Sequence, residues 1–272
     1  MAQLDIRVLG RKATEDRVAS YVDSFLARAA ASPRTEVRKK FLLLSTPRTG
    51  SNWLAHELRS EGELGHPYEW FSPVYITSVL GRLGRPFDRG HYIDLVLRGS
   101  TTPNGVFGLK AQLDQVLRMD REQHFDLMEL GFDAVIWLER RDVVAQAYSY
   151  VRSLKSNVFS RYTEQERKVE ELGNPHMVVE TSAVLNAAAQ LTQWREIFET
   201  RFRSGTGLCL SYEDIMAHGI DSTVSRLRQL LGLPPARRSS STRDYEKQAR
   251  PEDAQRIAEI HTYLAGAGPV PV

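Results

Sequence analysis

Residues 45–52, Ser-Thr-Pro-Arg-Thr-Gly-Ser-Asn, hold the side chains that an anion site needs. Arg48 brings a fixed positive charge, Ser51 and Asn52 bring hydrogen-bonding groups, and Gly50 lets the backbone approach a ligand closely. The apolar run Phe41 to Leu44 before them predicts a buried strand, and Trp53, Leu54 and Leu58 after them recur at helical spacing. A strand, a tight loop and a helix start place unpaired N–H groups and the positive end of a helix dipole beside Pro47, Arg48, Thr49 and Gly50. The chemistry expected is phosphate binding, set against an ordinary strand-turn-helix connection. A nucleoside-triphosphate loop is not expected, because Gly-x4-Gly-Lys-Ser/Thr is absent and an arginine precedes the glycine.

Three further segments carry candidate chemistry. In Gly65-His66-Pro67-Tyr68-Glu69-Trp70-Phe71 a carboxylate sits among aromatic residues. Desolvation there would raise the pKa of Glu69, as a general base requires, and the rings could stack on a sugar; a surface glutamate in an aromatic loop reads equally well. Lys110 stands at the end of a predicted strand, where it could neutralise charge on a ligand or hold a phosphate, set against the common reading of a solvated lysine at a helix start. In 139–149, Glu139, Arg140 and Arg141 end a strand, Asp142 caps a helix, and Gln146 and Ser149 share its face at i+4 and i+7. Arg140 with Ser149 would grip a second phosphate, whereas Arg141 reads equally as a salt-bridged surface residue.

The elements that must position these groups follow from the apolar pattern. Strands are expected at 41–44, 106–109, 134–138 and 208–211, each followed by a segment of helical period. Alternation of this kind predicts a mainly parallel sheet covered by helices, with ligands at the carboxyl ends of its strands, near residues 45–52, 110–112, 139–142 and 211–214. Long helices are predicted at 142–156 and 179–203, and a shorter one at 219–231, stopped by Gly232 and Pro234. Residues 15–31 form an amphipathic stripe through Val18, Tyr21, Val22, Phe25, Leu26 and Ala29 that must pack on the core or on a second subunit. The Ser/Arg-rich stretch 236–244 and the tail from Ala265 read as exposed.

The 272 residues suit one large α/β domain, here 40–272, preceded by a helical extension, 1–39. Lys+Arg of 36 against Asp+Glu of 34 leaves a net charge of +2, which argues against a general nucleic-acid binder. The lone Cys209, in an apolar run, predicts a buried thiol in a reducing compartment. The scattered histidines show no metal-ligand spacing, so no metal is expected. With no apolar run of membrane-spanning length and no apolar core at its N-terminus, the sequence predicts a cytosolic enzyme without an integral membrane segment.

Taken together and in order, the four segments resemble the trehalose 2-sulfotransferase family of bacterial carbohydrate sulfotransferases, which use 3′-phosphoadenosine 5′-phosphosulfate (PAPS). The matching residues are Arg48-Thr49-Gly50-Ser51, Gly65 to Phe71, Thr102 to Lys110 and Arg140 to Ser149, with weaker echoes at Trp194, Tyr212 and 246–249. The resemblance spans roughly residues 40–262. It implies an α/β, P-loop-NTPase-like, mainly parallel sheet covered by helices on both faces. It also implies PAPS as donor without metal, a carbohydrate or glycolipid acceptor, and a homodimer. By resemblance, residues 47–52 hold the 5′-phosphosulfate, Arg140 and Ser149 hold the 3′-phosphate, and Glu69 is the base, with Arg48 and Lys110 stabilising growing charge. Asn52 departs from the hydroxyl residue common at its position, and a segment between Phe71 and Thr102 shorter than in the trehalose enzyme speaks against trehalose itself. The rival readings are a P-loop-like small-molecule kinase and a nucleotide-binding protein without turnover.

Overall fold

The computed structural model describes residues 6–32, 36–160, 163–173, 177–205, 207–236 and 251–266. Four strands, β1 (Lys39–Ser45), β2 (Val106–Gln112), β3 (Ala134–Glu139) and β4 (Leu208–Ser211), form a wholly parallel sheet in the order β2-β1-β3-β4. Phe41 to Leu44 are fully buried, as a continuous apolar run in a covered parallel strand must be. Register aligns the carboxyl ends: Ser45 pairs with Gln112 on one side and Leu138 on the other, and Glu139 pairs with Ser211. Connections leave β1 and β3 toward opposite sides of the sheet. The loop after β1 therefore stands at the switch point where open α/β sheets bind ligands.

The helices are α1 (Ile6–Ala31), α2 (Ser51–Ser60), α3 (Pro73–Leu83), α4 (Arg89–Ser100), α5 (Leu113–Gln123), α6 (Val143–Ser156), α7 (Glu164–Gly173), α8 (Thr181–Arg201), α9 (Tyr212–His218), α10 (Ile220–Leu230) and α11 (Pro251–Gly266). The chain divides into two compact units. The larger contains the described residues of 16–141 and 194–243; the smaller contains those of 1–15, 142–193 and 244–272.

In the larger unit the sheet is covered on both faces because strand side chains alternate. Leu42, Leu44, Phe107, Leu109, Val135 and Trp137 face a core shared with α1, α3, α4, α5 and the end of α8. Phe41, Leu43, Ile136, Leu138 and Leu210 face the opposite core with α2 and α10. The sequence set residues 1–39 apart as an extension. In the structure Val18, Val22, Phe25 and Ala29 of α1 belong to the first core, and Phe25 stacks on Trp70 at 3.9 Å. Burying an aromatic side chain of this size is worth about 1.5–3 kcal/mol.

The smaller unit joins α6, α7 and α11 with the start of α1. Arg152 and Asp253 form a nearly buried ion pair, and Thr14 Oγ1 donates to Asn157 O at 2.9 Å. Burial, followed by the charge of Asp253, raises the Tyr148 pKa to about 12.

One expectation is corrected: Cys209 is exposed, not buried. β4 is an edge strand among the described residues, and alternation turns Leu208 and Leu210 inward and Cys209 outward, beside Arg203. The stretch 237–250, which includes most of the Ser/Arg-rich segment and the 246–249 echo, lies outside the described residues, as does the tail from 267.

Candidate active site at the carboxyl edge of the sheet

The loop between β1 and α2 is shaped by its own residues. Thr49, fully buried, donates from Oγ1 to Thr46 O at 3.2 Å, so its side chain holds the turn. Arg48 has φ 66 and Gly50 φ 81. For a non-glycine residue the left-handed region is a strained conformation worth about 1–3 kcal/mol, of the kind that collects at ligand sites. A Cβ on Gly50 would lie 2.7 Å from Tyr212 Cδ2, so glycine is required twice over, for backbone angle and for space. Gly50 caps α2 without any side-chain hydrogen bond to the first amides, and Ser51 is buried at the helix start. These amides and the dipole end suit an anion.

Glu69 reaches the same edge from the loop after α2. That loop lies flat on β2: Lys110 N donates to Tyr68 O at 3.2 Å, and a Cβ on Gly65 (φ 65) would fall 2.3 Å from Gly108 N. Strand alternation turns Lys110 to the α2 side of β2 and leaves it 1% exposed. Its Nζ bonds Glu69 Oε1 and donates to Asn52 Oδ1 at 2.8 Å. Gln115 Nε2 donates to Glu69 Oε2 at 2.8 Å. Gln112 satisfies both ends of its amide when its oxygen accepts from Lys110 Nζ at 3.2 Å and its nitrogen donates to Thr46 O at 3.0 Å, which ties the pair to the anion loop. Glu69, Lys110, Asn52 and the loop therefore meet in one cluster. Asn52, the departure from the resembled pattern, is a partner of Lys110.

The electrostatics correct the expectation for Glu69. Burial works to raise its pKa, but the charge of Lys110 and the bonds from Lys110 and Gln115 outweigh it, and the net direction is down. Burial lowers the Lys110 pKa against the pull of Glu69. The flanking aromatics also differ from an open sugar platform. Trp70 and Phe71 are 1% and 2% exposed and stack within the core. Tyr68 packs on Tyr21, and its hydroxyl accepts from Tyr75 at 2.8 Å and from Arg17 Nη1 at 3.0 Å. Burial raises both tyrosine pKa values, Tyr75 to about 12.

Arg140 ends β3 with its Cζ 5.2 Å over the Tyr212 ring, and its Nε is buried without a hydrogen-bond partner. An orphaned guanidinium nitrogen at a ligand edge is what an absent anion would leave. Its neighbour Arg141 takes the other reading: Nη1 bonds both Asp214 oxygens at 2.9 and 3.0 Å, so it is a surface ion pair. Ser149 lies on α6 in the smaller unit, whose N-cap Asp142 accepts from Ala145 N at 2.8 Å.

Sequence reasoning missed Gln112, Gln115, Arg17 and Asp114. Gln112 N donates to Gln115 Oε1 at 3.1 Å at the start of α5, a spacing of three that was legible. Asp114, beside Gln115, has one carboxyl oxygen buried without a partner; burial, then the Glu69 charge, raises its pKa. Among the described residues no group of three or more His, Cys, Asp or Glu could hold a metal ion, and no helix is long and apolar enough to cross a membrane.

Comparison with known proteins places this geometry in context. The family model described as Stf0 sulphotransferase matches residues 40–259. The trehalose 2-sulfotransferase of Mycobacterium tuberculosis (strain ATCC 35801 / TMC 107 / Erdman) is 26% identical over 197 residues, which span 59% of this chain and 73% of that protein. The trehalose 2-sulfotransferase of Mycolicibacterium smegmatis is 30% identical over 158 residues, 44% of this chain and 58% of that protein. A crystal structure of a sulfotransferase from Alicyclobacillus acidocaldarius overlaps 84% of this chain and 93% of its own, with TM-score 0.44 and 13% identity.

Proposed function

Because the chain belongs to the Stf0 sulphotransferase family, whose model matches residues 40–259, we propose that it transfers a sulfuryl group from PAPS to a hydroxyl of a carbohydrate or glycolipid acceptor. The observation that carries this reading is the Glu69–Lys110 pair, bonded through Asn52 and Gln112 to the loop and helix start that suit an anion. A base and a cation joined to an anion cradle are the parts that in-line group transfer needs.

PAPS would supply the sulfuryl group and a 3′-phosphate. Residues 47–52 would bind the 5′-phosphosulfate through backbone amides, Arg48, Ser51 and Asn52. Arg140, whose Nε lacks a partner, would bind the 3′-phosphate. In the transfer an acceptor oxygen attacks sulfur, the bond from sulfur to the bridging phosphate oxygen breaks, and Glu69 takes the hydroxyl proton. Negative charge grows on the departing phosphate, where Arg48 and Lys110 offset it.

The low pKa of Glu69 fits this scheme once the donor enters. Before binding, Lys110 keeps Glu69 ionised and therefore proton-free. A phosphosulfate at the loop competes for Lys110. As Lys110 turns to it, the largest opposition to burial is removed and the basicity of Glu69 rises. Donor binding would thus switch on the base.

The deciding experiment is calorimetric titration with PAP, the desulfated product, beside ATP and without metal. The expected result is PAP binding with little ATP binding. Absence of PAP binding, or a preference for ATP with magnesium, overturns the reading in favour of a kinase-like enzyme. Sulfated product from a panel of sugars and glycolipid head groups would separate an enzyme from a binding protein without turnover.

A further inference from the structure

Two arginines converge on the outer side of the loop that carries Glu69, and neither has a carboxylate. Arg28 of α1 donates from Nε to Gly99 O at 3.2 Å, and Arg59 of α2 donates from Nη1 to Pro67 O at 2.7 Å. The two anchors are adjacent, because His66 N donates to Ser100 O at 2.9 Å and so sets the Gly99–Ser100 peptide beside His66–Pro67. Arg59 also lies with its Cζ 5.2 Å over the Tyr68 ring, next to Glu69. Nη1 and Nη2 of Arg28, and Nε and Nη2 of Arg59, have no protein acceptor among the described residues, and none is a buried orphan, so all stay open to solvent. Several other arginines of the larger unit pair with acids: Arg82 with Asp23, Arg98 with Asp94, Arg141 with Asp214, Arg201 with Asp120, Arg228 with Glu61.

The crowding has an electrostatic cost. His66, between the two guanidinium groups, is pushed down to about 4 by burial, then by Arg28, then by Arg59. Burial, then Arg59, lowers the Arg28 pKa. Like charges held together with spare donors and no counter-charge constitute a site for an anion.

We propose that Arg28, Arg59 and His66 form a subsite for an oxyanion group (sulfate, phosphate or carboxylate) carried by the acceptor. That the acceptor carries the group rests on the function proposed above; the oxyanion site itself does not. Arg28 lies outside the segment 40–259 that the family model matches. The acceptor would be an already acidic sugar or glycolipid, anchored by its charge while a hydroxyl approaches Glu69.

The test titrates the full chain with inorganic sulfate at about pH 5.5, where free His66 is almost wholly neutral, and follows its imidazole resonances by NMR. A bound anion offsets the arginine charges, so sulfate should move His66 toward the imidazolium position, a pKa rise of about one unit or more. Arg28→Gln and Arg59→Gln should each weaken that response about tenfold or more. Calorimetry with PAP checks separately that each variant keeps its fold and donor site. In turnover, sulfate that competes with the acceptor marks the group as the acceptor's own. Sulfate that shifts His66 and leaves the acceptor KM unchanged marks a free anion at the same subsite and overturns the assignment to the acceptor. An unresponsive His66, or variants that respond like the parent, overturns the site itself. Failure of the parent to bind PAP while His66 still responds would remove the sulfotransferase reading and leave the subsite standing.

Discussion

Replacing Lys110 by Met tests the central pair. Lys110 is 1% exposed and Glu69 keeps 19% of its side-chain surface, so the substitution leaves a largely buried carboxylate without its cation. Breaking a fully buried pair by removing one partner costs about 3–5 kcal/mol. The residual exposure of Glu69 and the bond from Gln115 at 2.8 Å soften that, to roughly 2–4 kcal/mol at neutral pH. At roughly 2–4 °C per kcal/mol for a chain of this size, the melting temperature should fall by about 4–16 °C. The pH dependence fixes the sign. The folded-state pKa of Glu69 lies below its usual value, so the stability it contributes is fully present above about pH 4.5 and is lost as pH falls through the folded value. In Lys110→Met burial is opposed mainly by the Gln115 bond, the Glu69 pKa rises, and the variant gains stability relative to the parent as acid protonates it. The deficit should therefore be largest near pH 7 and shrink toward pH 4 in urea or thermal unfolding. A variant within about 0.5 kcal/mol of the parent at pH 7, or a deficit that grows in acid, would refute the pairing argument.

Glu69→Gln should cut turnover about 10²- to 10⁴-fold and leave the PAP Kd within a few-fold of the parent; a matched loss of both would remove the base role. Arg140→Ala should weaken PAP about 30-fold or more and leave adenosine 5′-phosphosulfate, which lacks the 3′-phosphate, nearly unchanged by calorimetry. Equal losses for the two ligands would place Arg140 elsewhere. Gly50→Ala meets both φ 81 and the Tyr212 ring at 2.7 Å, so it should cost about 1–3 kcal/mol in chemical unfolding and weaken PAP as well. Full retention of PAP affinity would separate the loop from donor binding.

Much of the fold was legible because it rests on patterns within one element. The run Phe41 to Leu44 predicted β1, the apolar stripe through Val18, Val22, Phe25 and Ala29 predicted the face that α1 buries, and the strand ends at Ser45, Gln112, Glu139 and Ser211 fall together where alternation of strands and helices required. α1 begins at Ile6 instead of residue 15, because Leu9 and Ala13 find apolar partners at Val158 and Val169 that no local window contains. Cys209 shows the converse limit: an apolar triplet looks buried, yet on an edge strand its period of two turns the middle residue out.

Part of this cluster was legible in the sequence; its electrostatics were not. Glu69 and Lys110 each carried a local signal, a Gly-x-Pro loop and a strand end, but they are separated by 41 residues, and only the sheet makes them a pair. Without the lysine, the aromatic neighbours of Glu69 argue for a raised pKa; with it, the direction reverses. The sequence left open whether the rings around Glu69 face a sugar; Tyr68 and Trp70 pack against Tyr21 and Phe25 of α1. That packing gives the segment before residue 40 a physical task. Arg17 binds the Tyr68 and Tyr75 hydroxyls at 3.0 and 3.2 Å, so α1 fixes the loop on which Glu69 stands. Residues at the sheet edge belong to the shared family segment, and α1 does not. From outside that segment, α1 thus sets the position of the carboxylate proposed above as the base.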